Sequence, residues 1–315
     1  MFARLMPYPI PILIIAWRRP ALVRQLLDAI RPIRPARLFV FCDGFRLHLP
    51  QEVEKIQACR RDLDQGIDWP CRVERFYSEV NLGCRNGVTQ AVSWFFEQVE
   101  EGIIFEDDCI PHPHFFPYCQ ALLERYRDDQ RIWSICGSNF QLGRKRGEAS
   151  YYFSIHGDSC GWASWRRAWA HYPSAEKLWT AFSRGRRFAD VFSNPLEQLY
   201  WRLTLDSMFG GRVNSAWDYQ WFLAGWMNHA LHIWPNVNLI TNVGFDPDGT
   251  HTIRPTRFAN LPAASMGDGE LVHPDLVIPD RAADRFSFYH RRNAVRYLIK
   301  RLLQTPLAWC RSVWA

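Results

Sequence analysis

The chain has 315 residues, of which 48% are hydrophobic and 22% are charged, and its net charge is +6. Such a composition provides enough apolar surface for a core and excludes a disordered chain, and the length suits one large α/β domain with additional elements. The positive charge comes almost entirely from arginine, without a continuous basic run. We therefore do not expect a nucleic-acid-binding protein.

The cysteines and the N-terminal residues bear on the cellular compartment. Nine cysteines occur without any Cys-x-x-Cys spacing, which predicts reduced thiols in the cytosol and neither a disulfide framework nor a zinc site. Pro11 interrupts the first apolar stretch and no cleavage signal follows it, so no secretion signal is predicted. Because no apolar run reaches the ~20 residues that span a bilayer, we expect a cytoplasmic protein, with peripheral attachment to the inner membrane as an alternative.

The first part of the chain alternates between strand and helix patterns. Ile12–Ala16 is a continuous apolar run, typical of a strand buried on both faces, and a helical pattern begins at Pro20. The same alternation predicts strands over residues 37–44, 71–77 and 102–105, with helices between them. A series of this kind forms a mostly parallel sheet with right-handed crossovers. Ligands bind such sheets outside the carboxyl ends of the strands.

The second part of the chain has a less regular pattern. It predicts strands over 132–136, 151–155 and 230–241, helices over 115–126 and 216–230, and a partly helical insert over 176–211. The predicted fold is α/β, with helices flanking a mostly parallel sheet.

The C-terminal segment has an amphipathic helical pattern that two structures would explain. Its apolar stripe consists of Val295, Leu298, Ile299, Leu302 and Leu303, and Arg292, Arg296 and Lys300 lie on another face. This pattern fits a basic amphipathic helix lying on anionic lipid. It fits equally a helix that packs on its own domain and exposes a solvated basic face.

Three consecutive acidic residues, Glu106, Asp107 and Asp108, follow the fourth predicted strand directly. Their carboxylates repel one another unless a cation neutralises them or water solvates them. Oxygen ligands of this kind suit Mg²⁺ or Mn²⁺, with remaining positions open for phosphate oxygens. A solvated acidic turn is the alternative, but the position at a strand's carboxyl end favours a binding site.

The order of these features resembles a known family. An apolar strand is followed by a strand ending in Asp43-Gly44, by Asn81-Leu82-Gly83 before a helix, and by a strand that runs into Glu106-Asp107-Asp108. This order resembles the GT-A glycosyltransferases, most closely the N-acetylglucosaminyltransferase I-like group and related bacterial enzymes of surface-polysaccharide synthesis. The resemblance implies a Rossmann-like GT-A domain over residues 1–255, with a donor half at about 10–140 and an acceptor half at 141–255. Residues 256–315 would then be a C-terminal extension.

The resemblance also implies the ligands and the roles of particular residues. The donor would be a nucleotide sugar, with UDP-sugar expected, the cofactor Mn²⁺ or Mg²⁺, and the acceptor a glycan or a lipid-linked precursor. Asp108 would bind the metal, and Glu106 and Asp107 would bind the nucleotide. Asp43 would bind the base, above a pocket floor formed by Ala16 and Arg18. Arg85 and Asn86 would face the diphosphate at a helix N-terminus.

Two further residues complete the predicted chemistry. His251 lies in a glycine-containing loop and would be a second metal ligand, with Asp246 and Asp248 as substitutes. Asp218 would take the proton of the acceptor hydroxyl as general base. The alternative for Asp218 is a role at the start of its predicted helix, and Asp206 and Asp158 are weaker candidates for the base.

The residues Gly161, Trp162 and Trp165 are predicted to shape the sugar and acceptor subsite, because small residues allow close approach and an indole ring can stack on a sugar. The predicted activity is an inverting glycosyl transfer. A non-catalytic carbohydrate-binding protein is one alternative. A sugar nucleotidyltransferase is another, but such enzymes usually carry a glycine-rich phosphate loop where this chain has Trp17-Arg18-Arg19-Pro20.

Overall fold

The structure, a computed structural model, describes residues 7–184, 187–210, 216–245 and 257–304. Within these residues the strands are β1 (Ile12–Ala16), β2 (Arg37–Cys42), β3 (Arg72–Tyr77), β4 (Glu101–Glu106), β5 (Cys109–Pro111), β6 (Ile132–Cys136), β7 (Tyr151–Ser154), β8 (Trp162–Trp165), β9 (Leu231–Pro235) and β10 (Ile240–Asn242). The α-helices are α1 (Pro20–Ile30), α2 (Glu52–Gln65), α3 (Gly83–Gln98), α4 (Phe115–Arg125), α5 (Arg166–Trp169), α6 (Tyr172–Ser183), α7 (Arg187–Val191), α8 (Pro195–Phe209), α9 (Asp218–Met227), α10 (Arg281–Phe286) and α11 (Ala294–Gln304).

The described strands form one large sheet and a small ribbon. The sheet order is β3-β2-β1-β4-β8-β6-β9-β7, and β10 pairs with β5 in the ribbon. Strands β1 to β4 are mutually parallel where they pair, and β7 and β8 run antiparallel to their neighbours. The predicted α/β class, a mostly parallel Rossmann-like sheet flanked by helices, is confirmed. The β3-β2-β1-β4 half has the strand order of doubly wound nucleotide-binding sheets.

The central strands show why the sequence pattern was informative. All five residues of β1 are buried, as are the four central residues of β4. Because helices cover both faces of a parallel sheet, the sequence of a strand in its middle is a continuous apolar run. The buried faces of α1 and α3 supply that cover with aliphatic and phenylalanine side chains.

Strand β8 was not predicted from the sequence. It has only four residues, all buried, and it lies between β4 and β6 with antiparallel pairing on both sides. A short strand that is buried on both faces has no alternation of polar and apolar residues, so periodicity alone does not reveal it. Its two tryptophans therefore belong to the centre of the sheet.

Part of the predicted C-terminal extension packs on the acceptor half. Pro279 forms a bridge with Phe153 of β7, and Asp284 of α10 accepts a hydrogen bond from Ser154. Arg291 forms an ion pair with Asp158 at 2.5 Å. Residues 279–293 thus cover the end of the sheet at β7.

Helix α11 packs on its own domain through part of its apolar stripe and leaves the rest of that stripe exposed. Leu298 is buried in the contact with α8, whereas Val295, Ile299 and Leu303 are 45%, 53% and 83% exposed. Among the described residues, no helix has the length and apolar character needed to cross a bilayer.

Candidate functional site

A cleft of about 240 Å³ opens at the carboxyl ends of β1, β2 and β4. This is the edge at which doubly wound sheets bind ligands. Its lining comes from the ends of the three strands and from the first turns of α3: Ile15, Ala16, Trp17, Arg19, Phe41, Asp43, Arg46, Asn81, Gly83, Cys84, Gly87, Val88, Glu106 and Asp107. The cleft therefore brings together Ala16, Asp43, Glu106 and Asp107, four residues that the sequence had selected.

Arg19 is the principal counter-charge of the acidic triplet. Its guanidinium forms an ion pair with Asp107 and a second one, at 3.1 Å, with Asp108. The sequence interpretation had selected Arg18, but the Arg18 guanidinium binds Glu52 at 2.7 Å and stacks on Trp17. Arg18 is not among the residues lining the cleft.

The triplet carries more negative charge than Arg19 balances. Burial, followed by the charges of Asp108 and Asp107, raises the pKa of Glu106 to about 8. Burial also raises the pKa of Asp107 to about 6, although Arg19 opposes that effect. Three carboxyl groups beside one guanidinium form a site that favours an additional cation.

Asp43 fixes the loop that precedes α3. Its carboxylate accepts hydrogen bonds from the backbone N–H of Gly44 at 2.8 Å and of Leu82 at 2.9 Å, and from Asn81 Nδ2 at 2.8 Å. Gly44 has no room for a Cβ because the Val80 backbone lies against it. Asp43 thus ties β2 to the start of α3 while it lines the cleft, and burial raises its pKa.

Residues in the first turns of α3 contact two different parts of the molecule. Gly83 and Gly87 line the cleft, and Gly83 has a φ of +77°, which favours glycine. Arg85 points elsewhere, because its Nη2 donates to Glu176 at 2.9 Å and to Gln220 of α9 at 2.8 Å. Asn86 is exposed. The structure therefore places Arg85 between α3, α6 and α9, and not in the lining of the cleft.

A glycine-containing turn lies against Asp108. Val243 N donates to the Asp108 carbonyl oxygen at 2.9 Å, and the Asp108 carboxylate occupies the space of a Cβ at Gly244. The predicted ligand His251 follows this turn in the sequence. His251 and its substitutes Asp246 and Asp248 lie outside the described residues.

Two cysteines meet beside the triplet. Cys109 Sγ lies 3.4 Å from Asp108 Oδ1 and 3.2 Å from Cys160 Sγ. Both thiols are free, as are the other cysteines in the described part of the chain.

Asp218 is the first residue of α9 and is partly exposed. Its Oδ1 accepts a hydrogen bond from Tyr219 N at 3.0 Å, and it adds a negative charge in the first turn. Both features stabilise the helix start. The charge of Asp218 also raises the pKa of Glu106, after burial and the charges of Asp108 and Asp107. The structural and the catalytic interpretation of Asp218 are compatible.

The predicted sugar-stacking residues lie in the core. Trp162 and Trp165 are 1% and 2% exposed, and Trp162 packs against Trp169, Trp217 and Trp221. A buried indole has no free face for a sugar. Gly161, with a φ of +59°, packs on Ile240 and donates no side chain to a subsite. The two tryptophans thus belong to the core around β8, and Gly161 directly precedes that strand.

The residues at the cleft fit a divalent cation of the Mg²⁺ or Mn²⁺ type. Asp107 and Asp108 supply hard carboxylate oxygens in a site with excess negative charge, and such ions take further ligands from phosphate and water. No cluster of three or more His, Cys, Asp or Glu side chains with metal-binding geometry occurs among the described residues. Within the described residues, two carboxylates are thus the side chains that would hold such a cation, and its further ligands would have to come from elsewhere.

Comparison with known proteins gives only distant likenesses. No protein-family model and no curated protein matches this chain. HddC from Yersinia pseudotuberculosis is 10% identical, with a TM-score of 0.32 over 52% of this chain and 80% of that chain. UDP-glucose pyrophosphorylase complexed with UDP-glucose is 9% identical, with a TM-score of 0.30 over 51% and 78%. The 4-diphosphocytidyl-2C-methyl-D-erythritol synthase from Anaerococcus prevotii is 9% identical, with a TM-score of 0.32 over 55% and 78%. Scores this low carry no assignment of activity.

Proposed function

We propose that this protein is a metal-dependent glycosyltransferase that uses a nucleotide-diphosphate sugar. The observation that carries the proposal is the acidic triplet at the carboxyl ends of β1 and β4, next to a cleft and near a further carboxylate, Asp218. Donor and acceptor would meet between the triplet and the start of α9. The donor nucleoside is proposed to be uridine, as the resemblance in sequence implies.

Different residues of the cleft would bind the base, the diphosphate and the metal ion of the donor. The cleft walls at Ala16 and Phe41 are apolar and suit a planar base, with the buried Asp43 carboxylate at its edge. The N-terminal turns of α3 present backbone N–H groups and a positive dipole to a diphosphate. Asp107 and Asp108 would hold a divalent cation, which supplies charge neutralisation to the leaving diphosphate. Arg19 would hold both aspartates in position.

Asp218 is the proposed general base. It would accept the proton of an acceptor hydroxyl while the hydroxyl oxygen attacks the anomeric carbon from the face opposite the diphosphate. This displacement inverts the configuration of the sugar. The acceptor is proposed to be a glycan or a lipid-linked precursor, with α11 at the membrane surface.

A sugar nucleotidyltransferase is the competing proposal, which the sequence left open. A bulky side chain argues against it, because Trp17 lines the cleft after β1, where a glycine-rich phosphate loop would be required. Incubation with a sugar 1-phosphate and each nucleoside triphosphate separates the two proposals. If the protein releases pyrophosphate and forms a nucleotide sugar, it is a nucleotidyltransferase and the glycosyltransferase proposal is refuted.

The first experiment measures thermal stability with UDP, GDP, CDP and dTDP, each with and without Mn²⁺. A ligand at ~100 times its Kd stabilises a fold by about 2.7 kcal/mol. We expect a shift with one nucleotide, which chelation and Asp108→Ala abolish. Absence of any shift would favour the non-catalytic carbohydrate-binding alternative.

Asp218→Asn tests the general base. The substitution keeps the size and hydrogen-bonding capacity of the side chain but removes its basicity, so we expect transfer to fall by about 100-fold or more while nucleotide binding persists. Asp206→Asn on α8 is the matched control and should retain activity. Near-normal turnover of Asp218→Asn would exclude this base.

A further inference from the structure

Arg292 lies between two helices of the acceptor half. Its guanidinium stacks 4.4 Å from the ring centroid of Trp201 on α8 and 5.8 Å from that of Phe222 on α9. Aromatic faces attract a cation but do not accept its in-plane hydrogen bonds. The side chain is thereby held in place with its N–H groups still available.

The neighbouring Arg291 differs from Arg292 in having an acidic partner. Arg291 forms an ion pair with Asp158 and stacks 3.7 Å from the Phe140 ring. Among the described residues, no hydrogen bond or ion pair to the Arg292 guanidinium is present, and Arg292 is partly exposed. A guanidinium carries five N–H donors in a planar fork that matches phosphate and carboxylate.

The proposed general base lies near this guanidinium. Despite the opposing effect of burial, the pKa of Arg292 is raised by Tyr200, Tyr219, Asp218 and Asp158, in that order. Tyr219 follows Asp218 directly in α9, and Phe222 lies one turn further on the same helix. By its stacking on Phe222, Arg292 packs on the part of α9 that directly follows Asp218.

We propose that Arg292 binds an anionic group of the acceptor, a phosphate or a carboxylate, and so directs the acceptor hydroxyl to Asp218. This inference rests on the proposed function and narrows its acceptor to an anionic one. The phosphate of a lipid-linked sugar and the carboxylate of a uronic acid share the required chemistry. Arg292 is a binding residue on this proposal and takes no part in the proton transfer.

The test measures binding to the full chain with the donor site filled by the stabilising nucleoside diphosphate and Mn²⁺. Probes are glucose 1-phosphate and glucuronate, with glucose as the neutral reference, and dissociation constants come from titration followed by NMR. We expect wild type to bind at least one anion about tenfold more tightly than glucose, as a charge-assisted hydrogen bond allows. The anion that binds more tightly shows whether the anionic group of the acceptor is a phosphate or a carboxylate.

The variants are Arg292→Gln and Arg292→Lys, and Arg296→Gln on the exposed face of α11 is the matched control. Arg292→Gln should lose the preference for the anion and keep its affinity for the nucleotide. Arg292→Lys should keep part of the preference, because it retains the charge without the planar fork. Arg296→Gln should behave as wild type.

Two results would overturn the inference. One is a wild type that binds glucose as tightly as both anions. The other is an Arg292→Gln variant with unchanged anion binding but a shifted pH profile of donor hydrolysis, which would show that Arg292 only sustains the ionisation of Asp218. Failure of nucleotide binding in wild type would instead refute the proposed function.

Discussion

Arg19 and Arg18 are adjacent in the chain but have different environments. Arg19 turns into the cleft and pairs with Asp107 and Asp108, whereas Arg18 turns away from the triplet and pairs with the buried Glu52. Nothing in the sequence distinguishes two consecutive arginines that follow a strand. The direction of each side chain is decided by the path of the loop between β1 and α1, so selection of Arg18 from sequence missed the residue that contacts the triplet. The following Pro20, which starts α1, marks where that loop ends.

Arg19→Gln tests the charge balance at this site. Loss of one member of a buried pair leaves an uncompensated charge and costs about 3 kcal/mol, so we expect a lower midpoint of thermal unfolding. Because the carboxylates would then lack the guanidinium that neutralises them, Mn²⁺ should stabilise Arg19→Gln more than it stabilises wild type. Arg18→Gln is the control and should respond to Mn²⁺ as wild type does. An equal response of both variants would contradict a cation site at the triplet.

At the scale of elements, β6 and β9 are joined by a buried histidine. His232 of β9 is fully buried, and its Nδ1 lies 2.7 Å from Ser134 Oγ of β6. Burial lowers the pKa of His232 to about 3 from its ordinary value of 6.5. The ring is therefore neutral in the folded protein at neutral and mildly acidic pH.

This lowered pKa predicts an acid-dependent loss of stability. Between pH 6.5 and about 3 the unfolded chain binds a proton that the folded chain does not, so the free energy of unfolding falls by about 1.4 kcal/mol per pH unit from this group. Urea unfolding at pH 7.5 and 5.0 measures the slope. His232→Asn should reduce the slope, whereas His48→Asn, at an exposed position, should leave it unchanged. Equal slopes in all three proteins would refute the assignment.

Helix α11 presents apolar and basic side chains on the same exposed arc. Val295, Ile299 and Leu303 recur every fourth residue, and the exposed Arg296 and Lys300 lie beside them. An apolar ridge with a basic flank is the surface that an anionic lipid interface binds. Burial of Leu298 on α8 keeps this arc turned outward.

Vesicle flotation tests this surface. We expect wild type to bind vesicles containing phosphatidylglycerol, to bind phosphatidylcholine vesicles weakly, and to dissociate at high salt. Ile299→Ser should weaken the binding, because it removes an apolar contact from the centre of the ridge. The control is Ile278→Ser, which removes an equally exposed isoleucine outside the helix. Equal binding of both variants would show that α11 does not contact the lipid.

At the scale of the whole molecule, the C-terminal residues complete the acceptor half. Ala283 packs in a small cluster with Cys136, Tyr152 and Trp234, beside the Asp284 to Ser154 hydrogen bond. The resemblance in sequence implies a GT-A domain over residues 1–255 and a C-terminal extension over residues 256–315. The contacts across this boundary predict that the two parts fold together.

Two truncated chains test this prediction. A chain ending at residue 278 loses the bridge at Phe153 and the contacts of Asp284 and Arg291, so we expect a clearly lower midpoint of thermal unfolding. A chain ending at residue 293 keeps these contacts and should unfold close to wild type. An unchanged midpoint for the shorter chain would support the domain boundary that the sequence predicts.

The sequence by itself determined the α/β class, the bounds of β1 and the start of α1, and the clustering of Ala16, Asp43 and the acidic triplet. Parallel strands buried on both faces need continuous apolar runs, and residues at their carboxyl ends meet at one edge for geometric reasons. Only the tertiary structure decided which arginine reaches the triplet, that Trp162 and Trp165 are core residues, and that Arg292 packs on Trp201 and Phe222. These properties depend on contacts between residues far apart in the chain, which no local periodicity encodes.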